Sequence, residues 1–227
     1  MSFKMSIKEN LLNIKSTLPE HVTLVAVSKT KPISDLMEAY NAGQRIFGEN
    51  KIQEMVEKHE QMPKDILWHM IGHVQRNKVK YMASFVDLIH GVDNLKLLKE
   101  IHKQALKNNR VIDCLLQIKI ASEDSKFGLS PEEASTILYS KEFTELENIK
   151  VTGLMGMATF TDDQEQVKQE FQLLKSTFDK LKTYKTSNCN IETVSMGMSG
   201  DYQLAITCGS SMVRVGSSIF GVRNYSI

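Results

Sequence analysis

The sequence is poor in the features that mark several large protein classes. It has only three cysteines, Cys114, Cys189 and Cys208, far apart and without the paired spacing of a metal-ligand set. A sparse, odd set suits a reducing compartment and excludes a disulfide scaffold. No segment approaches the roughly 20 apolar residues needed to span a bilayer, and the start, MSFKMSIKENLLNIK, lacks the apolar stretch of a secretory signal. A cytoplasmic location follows as the expectation. Net charge is nearly absent, 28 Lys and Arg against 27 Asp and Glu, so nothing in the bulk electrostatics calls for nucleic acid or an anionic membrane as partner. Neither a Walker A loop nor a GxGxxG fingerprint occurs, which argues against nucleotide chemistry. Linkers and composition breaks are missing too, and one domain over residues 1–227 is expected.

What is present is a regular alternation. An amphipathic helix is expected over residues 3–17, through Phe3, Ile7, Leu11 and Ile14. TLVAVS then reads as a buried parallel strand, because its apolar residues are nearly continuous. ISDLMEAYNAG follows as a helix ending at Gly43. RIFGE, LWHMIG, FVDLIHGV, VIDCLLQIKI, VTGLMGMA, IETVSM and SMVRVG continue the strands, with helices or short helices between them. About eight strand–helix units at intervals of about 25 to 30 residues predict a single (β/α)8 TIM barrel with an extra N-terminal helix. An open doubly wound sheet is the competing architecture, since it gives the same local pattern.

In such a barrel, reactive groups lie where strands hand over to loops at their carboxyl ends. Lys29 meets that condition in VTLVAVSKTKP. A lysine amine is mostly protonated near its usual pKa of ~10.4, and desolvation beside other cations favours the nucleophilic form that makes Schiff bases. Lys31, before Pro32, is expected at the loop surface. Farther along, SMGMSGD offers Ser199 at a strand-to-helix turn, and SSMVRVGSS offers Gly216 and Ser217 after the last strand. The loops after strands seven and eight are where barrels frequently bind phosphate. Arg214 lies between Val213 and Val215, so an inward role is expected. A lysine, an arginine and a phosphate cup suggest a phosphorylated aldehyde cofactor, and pyridoxal 5′-phosphate (PLP) fits. Lys29 would hold it as an aldimine and Arg214 would face the pyridine nitrogen. Ser199, Gly216 and Ser217 would hold the phosphate.

The motifs AVSKTKP (26–32), FGENKIQE (47–54), WHMIGHVQRNK (68–78), SKFGL (125–129), GLMGMA (153–158), SMGMSGD (195–201) and SSMVRVGSSIFG (210–221) occur in that order. In them the chain resembles the pyridoxal phosphate homeostasis proteins, whose fold is similar to the N-terminal barrel of alanine racemase. The resemblance implies the same roles for Lys29, Ser199, Arg214, Gly216 and Ser217, and adds Asn50 to the cofactor pocket. It places Met196 and Met198 as pocket walls, and His69 and His73 at the barrel mouth. His69 and His73 also form an H-x3-H pair, but with no acidic or cysteine ligand nearby no metal is expected. Cys208 is expected to be structural rather than nucleophilic.

The family reading implies a holder or buffer of PLP that takes part in vitamin B6 homeostasis, with PLP-requiring apo-enzymes as recipients, and without amino-acid turnover. Racemisation needs a second base. KTKPIS lacks the tyrosine that alanine racemase carries beyond its lysine. With the chain ending at Ile227, the racemase β-domain that supplies a catalytic tyrosine is expected to be missing. A monomer is expected. The alternatives are a PLP-dependent racemase-like enzyme of low activity, with Tyr202 or His73 as its base, and a Schiff-base sugar-phosphate aldolase without cofactor.

Overall fold

Strand parity decides where everything sits. In β1 (Thr23–Val27) Leu24 and Ala26 point out toward helices, while Val25 points into the space the strands enclose. The computed structural model describes residues 5–122 and 127–221. Its further strands are β2 (Ile46–Glu49), β3 (Leu67–Met70), β4 (Val86–Val92), β5 (Ile112–Gln117), β6 (Ile149–Met155), β7 (Lys185–Thr186), β8 (Cys189–Ser195) and β9 (Met212–Val215). From β1 to β6 each strand pairs in parallel with the next, β6 pairs with β8, β8 with β9, and β9 returns to β1. The sheet has nine strands, and β7 pairs antiparallel with β8 alone, so eight parallel strands close the barrel. Closure excludes the open doubly wound sheet, which would leave two edges.

The helices cover the outside. They are α1 (Ile7–Thr17), α2 (Ile33–Asn41), α3 (Ile52–Gln61), α4 (Leu95–Lys107), α5 (Pro131–Leu138), α6 (Lys141–Thr144), α7 (Gln164–Leu181), α8 (Tyr202–Thr207) and α9 (Ser217–Phe220), with a 3-10 turn at Arg76–Tyr81. Their starts follow local chemistry. Ser6 and Ser130 make capping boxes with Glu9 and Glu133, and Asp163 accepts from the first turn of α7. The N-terminal helix forms as expected over Ile7–Thr17, burying Leu11 and Ile14, while Phe3 lies outside the described residues. The β7 strand, α6 and α9 carry no signal in the periodicity, since each is four residues or fewer.

Two apolar bodies result. The larger fills the shell between strands and helices, with Phe47 and Trp68 fully buried at a ring-centroid distance of 6.0 Å. The smaller lies inside the barrel: Val25, Leu88, Leu115, Met155 and Met212. Polar groups occupy the rest of the interior toward the mouth. Among the described residues no helix is long and apolar enough to cross a membrane.

Candidate functional site

At the carboxyl ends of the strands a cavity of about 550 Å³ opens. Lys29, Asn50, Ser199, Arg214, Gly216 and Ser217 all line it, so the structure brings the six expected residues together from four different strand ends. The pairing of Val25 with Arg214 makes β1 and β9 neighbours. Arg214 therefore sits at the cavity floor, level with Val25, and Lys29 stands four residues farther along the adjacent strand.

Arg214 is 3% exposed. Its guanidinium donates to Ser195 Oγ at 2.6 Å and to the Gly156 carbonyl at 3.0 Å, both neutral acceptors. Burial lowers its pKa to about 10, against the opposing charge of Asp201, and it stays a cation at neutral pH. An arginine can only donate, so Ser195 Oγ accepts from it at the head of a hydrogen-bond chain. Ser195 Oγ shares a further hydrogen bond with His90 Nδ1, 3.1 Å away. His90 Nε2 is hydrogen-bonded to His69 Nδ1 at 3.0 Å, and His69 Nε2 lies 3.4 Å from Asp87. Burial, then the charges of His69 and Arg214, hold the His90 pKa well below its ordinary value. The chain is thus carried by a neutral imidazole.

The two small-residue loops meet across the cavity. Gly216 N–H donates to Ser199 Oγ at 3.1 Å, joining the loop after β8 to the loop after β9. A Cβ on Gly216 would stand 3.0 Å from the Val27 carbonyl oxygen, a tight approach that glycine avoids where this loop packs on the strand leading to Lys29. Gly197 has φ +98, and a Cβ there would meet Ala205 Cβ at 2.6 Å; the left-handed turn aims the following Met198–Asp201 segment at the cavity. Asp201 Oδ1 accepts from Met198 N–H at 2.5 Å and closes that turn. Asn50 Oδ1 is buried without a hydrogen-bond partner, an uncommon state for a polar atom inside a protein.

Three expected placements change. Lys31 is not a loop-surface residue: it lines the cavity, and its ammonium donates to the Phe220 carbonyl of α9 at 2.8 Å. His69 is not at the mouth. It is buried in the barrel interior as part of the Arg214 chain, because it lies within β3 and His73 beyond that strand's carboxyl end. Met196 is wholly buried in the outer shell, while Met198 and Met157 line the cavity. His73 does reach the mouth, stacked on Phe127 at 4.3 Å with Asp93 at 3.5 Å from Nδ1. Tyr202 does not; its hydroxyl lies 3.5 Å from Thr17 of α1. Among the described residues no cluster of metal-ligating side chains occurs. Cys208 is half-buried and free. Ser125 and Lys126 of the SKFGL motif lie outside the described residues.

Sequence reasoning missed Ser195, His90, Gln117, Phe127 and Phe160. A lone histidine inside the apolar strand FVDLIHGV was the one available signal for the interior chain. Phe160, 97% exposed at the cavity rim, stands out only once the fold shows what it borders.

The geometry agrees with three comparisons. A family model described as alanine racemase, N-terminal domain, matches residues 4–224. The pyridoxal phosphate homeostasis protein of Pasteurella multocida is 39% identical over 235 residues, covering 98% of this chain and 100% of that protein. Its Escherichia coli K12 counterpart is 38% identical over 212 residues, covering 92% and 88%. Among solved structures, PipY of Synechococcus elongatus PCC7942 without PLP superposes with a TM-score of 0.89 at 32% identity, covering 95% of this chain and 100% of that one. PipY with PLP bound superposes at 0.86, also at 32% identity, with the same coverage. A Clostridium difficile alanine racemase, 17% identical, shares the fold at a TM-score of 0.76 over 97% of this chain and 57% of its own. Matched nearly end to end, and at close to two residues in five, this chain belongs to the pyridoxal phosphate homeostasis protein family, built on the alanine racemase N-terminal barrel.

Proposed function

We propose that the chain binds pyridoxal 5′-phosphate at the barrel mouth and serves its homeostasis as a reversible holder that hands the cofactor on, without turning over amino acids. The observation that carries the reading is the buried Arg214 cation, hydrogen-bonded to the Ser195 hydroxyl and the Gly156 carbonyl and facing a cavity that Lys29 also lines. Three features of the site fit such a cofactor. The Ser199–Gly216 junction, with Ser217 beside it, presents small residues and backbone N–H groups where a phosphate needs close approach. Asn50 Oδ1 has an acceptor to spare. The cavity volume lies in the range of small-molecule sites.

When bound, PLP supplies an electrophilic aldehyde carbon and a ring that can accept electrons. Lys29 would provide the amine for the aldehyde. Ser199, Gly216 and Ser217 would hold the phosphate, and Asn50 would orient the ring edge. Arg214 would face the ring nitrogen and, as a fixed cation, would give it no proton to keep. The Ser195–His90–His69 chain holds the guanidinium in that donor orientation. A ring nitrogen left unprotonated is a weak electron sink, which disfavours chemistry at the Cα of an amino acid. Recipient apo-enzymes, a monomeric state and a cytoplasmic location belong to the same reading, and the three free cysteines agree with a reducing compartment.

One observation favours a second reading. His73, oriented by Asp93, faces the same cavity, and a carboxylate-oriented imidazole is a competent base. A racemase-like activity would use it. Absorbance spectra decide the first question: with added PLP, wild type should develop a near-visible band and Lys29→Ala should not. A wild type that stays colourless would overturn the cofactor reading and leave the aldolase. Exchange of Cα hydrogen for deuterium across a panel of amino acids decides the second, and wash-in at catalytic rates would replace the holder by an enzyme.

A further inference from the structure

Lys29 is flanked by an unusual piece of backbone. Thr30 has φ +63, a left-handed conformation that a β-branched residue rarely adopts. Such strain persists only where surrounding structure over-determines it. Here the surroundings are three charged side chains outside the barrel wall. Lys58 of α3 is buried and donates to Glu49 Oε1 and Glu54 Oε1, each at 2.7 Å, and to the Ser28 carbonyl at 2.8 Å. Glu49 Oε1 also accepts from Ser28 Oγ at 2.6 Å. Glu54 Oε1 accepts from the Thr30 backbone N–H at 2.6 Å. The residues immediately before and after Lys29 are therefore both held by one Glu–Lys–Glu cluster, while the Lys29 side chain enters the cavity on the other side of the wall.

Stability does not account for this cluster. A buried ion pair is commonly no better than well-packed apolar groups of the same volume, and Glu49 Oε2 is buried with no partner at all. What the charges do accomplish is local. Each acceptor and donor that is satisfied belongs to the turn at 28–31 or to the cluster itself. The same turn is closed by Lys31 N–H donating to Ser28 O at 3.1 Å.

We propose that Glu49, Lys58 and Glu54 form a positioning cluster for Lys29, holding Ser28 and Thr30 so that the strained turn aims the amine into the cavity. The cofactor consequence rests on the reading above; the positioning of the amine does not. Displacement of a reacting group by about 1 Å is worth up to ~100-fold in rate, so small movements of this turn are readable.

Two measurements test it on wild type, Thr30→Gly, Glu54→Ala, Glu54→Gln and Lys58→Arg. In the first, the protein without cofactor is reductively methylated with formaldehyde and borohydride across pH, and peptide mass spectrometry follows Lys29. In the second, the near-visible band is followed as PLP is released into a scavenger. Thr30→Gly relieves the strain, so its urea midpoint should equal or exceed wild type, yet its Lys29 methylation profile should move toward that of surface lysines. Release should accelerate about tenfold in Thr30→Gly and Glu54→Ala, with Glu54→Gln between and Lys58→Arg closest to wild type. Wild-type methylation profiles and release rates in both Thr30→Gly and Glu54→Ala would overturn the proposal, because a purely structural cluster predicts that result. A wild type that forms no band would sink the cofactor reading instead, and the methylation arm alone would then decide the positioning.

Discussion

Two polar networks approach the cavity from opposite sides of the barrel wall, and they are built from different chemistry. The inner one runs through Ser195, His90 and His69 and ends on Arg214, with no charge in its first links. The outer one is made of Glu49, Lys58 and Glu54 and ends on the backbone around Lys29. The contrast follows from what each must leave behind. A carboxylate bonded to Arg214 would cancel the charge that faces the cavity, so a hydroxyl and imidazoles hold it. Lys58 faces no ligand, so its charge is neutralised where it stands.

Removing one partner from each network should separate them most strongly. Lys58→Met leaves Glu49 buried without its cation and should lower unfolding free energy by about 3 kcal/mol or more. Glu49 already has its pKa raised by burial, against the pull of Lys58, so proton uptake there limits the loss at low pH. His90→Leu breaks two neutral hydrogen bonds and should cost about 1–3 kcal/mol. Urea titrations at neutral pH compare the two. A larger loss for His90→Leu would reverse the comparison.

A smaller effect concerns acid. The folded-state pKa of His90 lies well below its ordinary 6.5, so the unfolded chain binds the proton more readily. Its stability contribution is present above 6.5 and is lost as pH falls below it. Urea midpoints should therefore decline from pH 7 to pH 5 in wild type and decline less in His90→Leu. Equal slopes would mean that the interior chain does not sense protons.

The smallest effect belongs to a third carboxylate. Glu170 of α7 is opposed by its burial, but hydrogen bonds from Thr159, Gln166 and Ser122 outweigh this and lower its pKa. It ties the loop after β5 to the loop after β6 on the far side of the mouth. Its contribution is present above its unfolded pKa near 4.5 and is lost as pH falls through the lower folded value. Glu170→Gln should flatten the stability profile only below about pH 4.5, leaving the His90 window intact; a change between pH 5 and 7 would tie the two sides of the mouth together.

Much of the site was legible because barrel chemistry gathers at strand ends, which sequence marks by a shift from apolar runs to Lys, Gly and Ser. Lys29, Asn50, Ser199, Gly216 and Ser217 were found that way or through the family motifs, and Arg214 through its apolar neighbours. Lys31 was misplaced because nothing near Pro32 indicates that α9, from the other end of the chain, supplies its carbonyl. His69 was misplaced because depth depends on position along the strand: His69 lies within β3 and His73 beyond its carboxyl end, and the β3–β4 register shifts at Trp68/His69. The Glu49–Lys58–Glu54 cluster was hidden among ordinary helix charges. Its members are close in sequence, but only the packing of α3 on the strands shows that they converge on the turn beside Lys29.

The sequence by itself determined the order of the main strands and helices, the strand ends at which reactive groups could stand, and the small residues of the turns that follow them. These follow from periodicity and steric freedom, which are local. Tertiary structure decided that β9 returns to pair with β1, that Arg214 lies level with Val25 beneath Lys29, and that a neutral chain supports one cation while a charged cluster holds the backbone at the other. Those arrangements depend on hydrogen-bond register between segments nearly the whole chain apart, and closure of the barrel fixes that register.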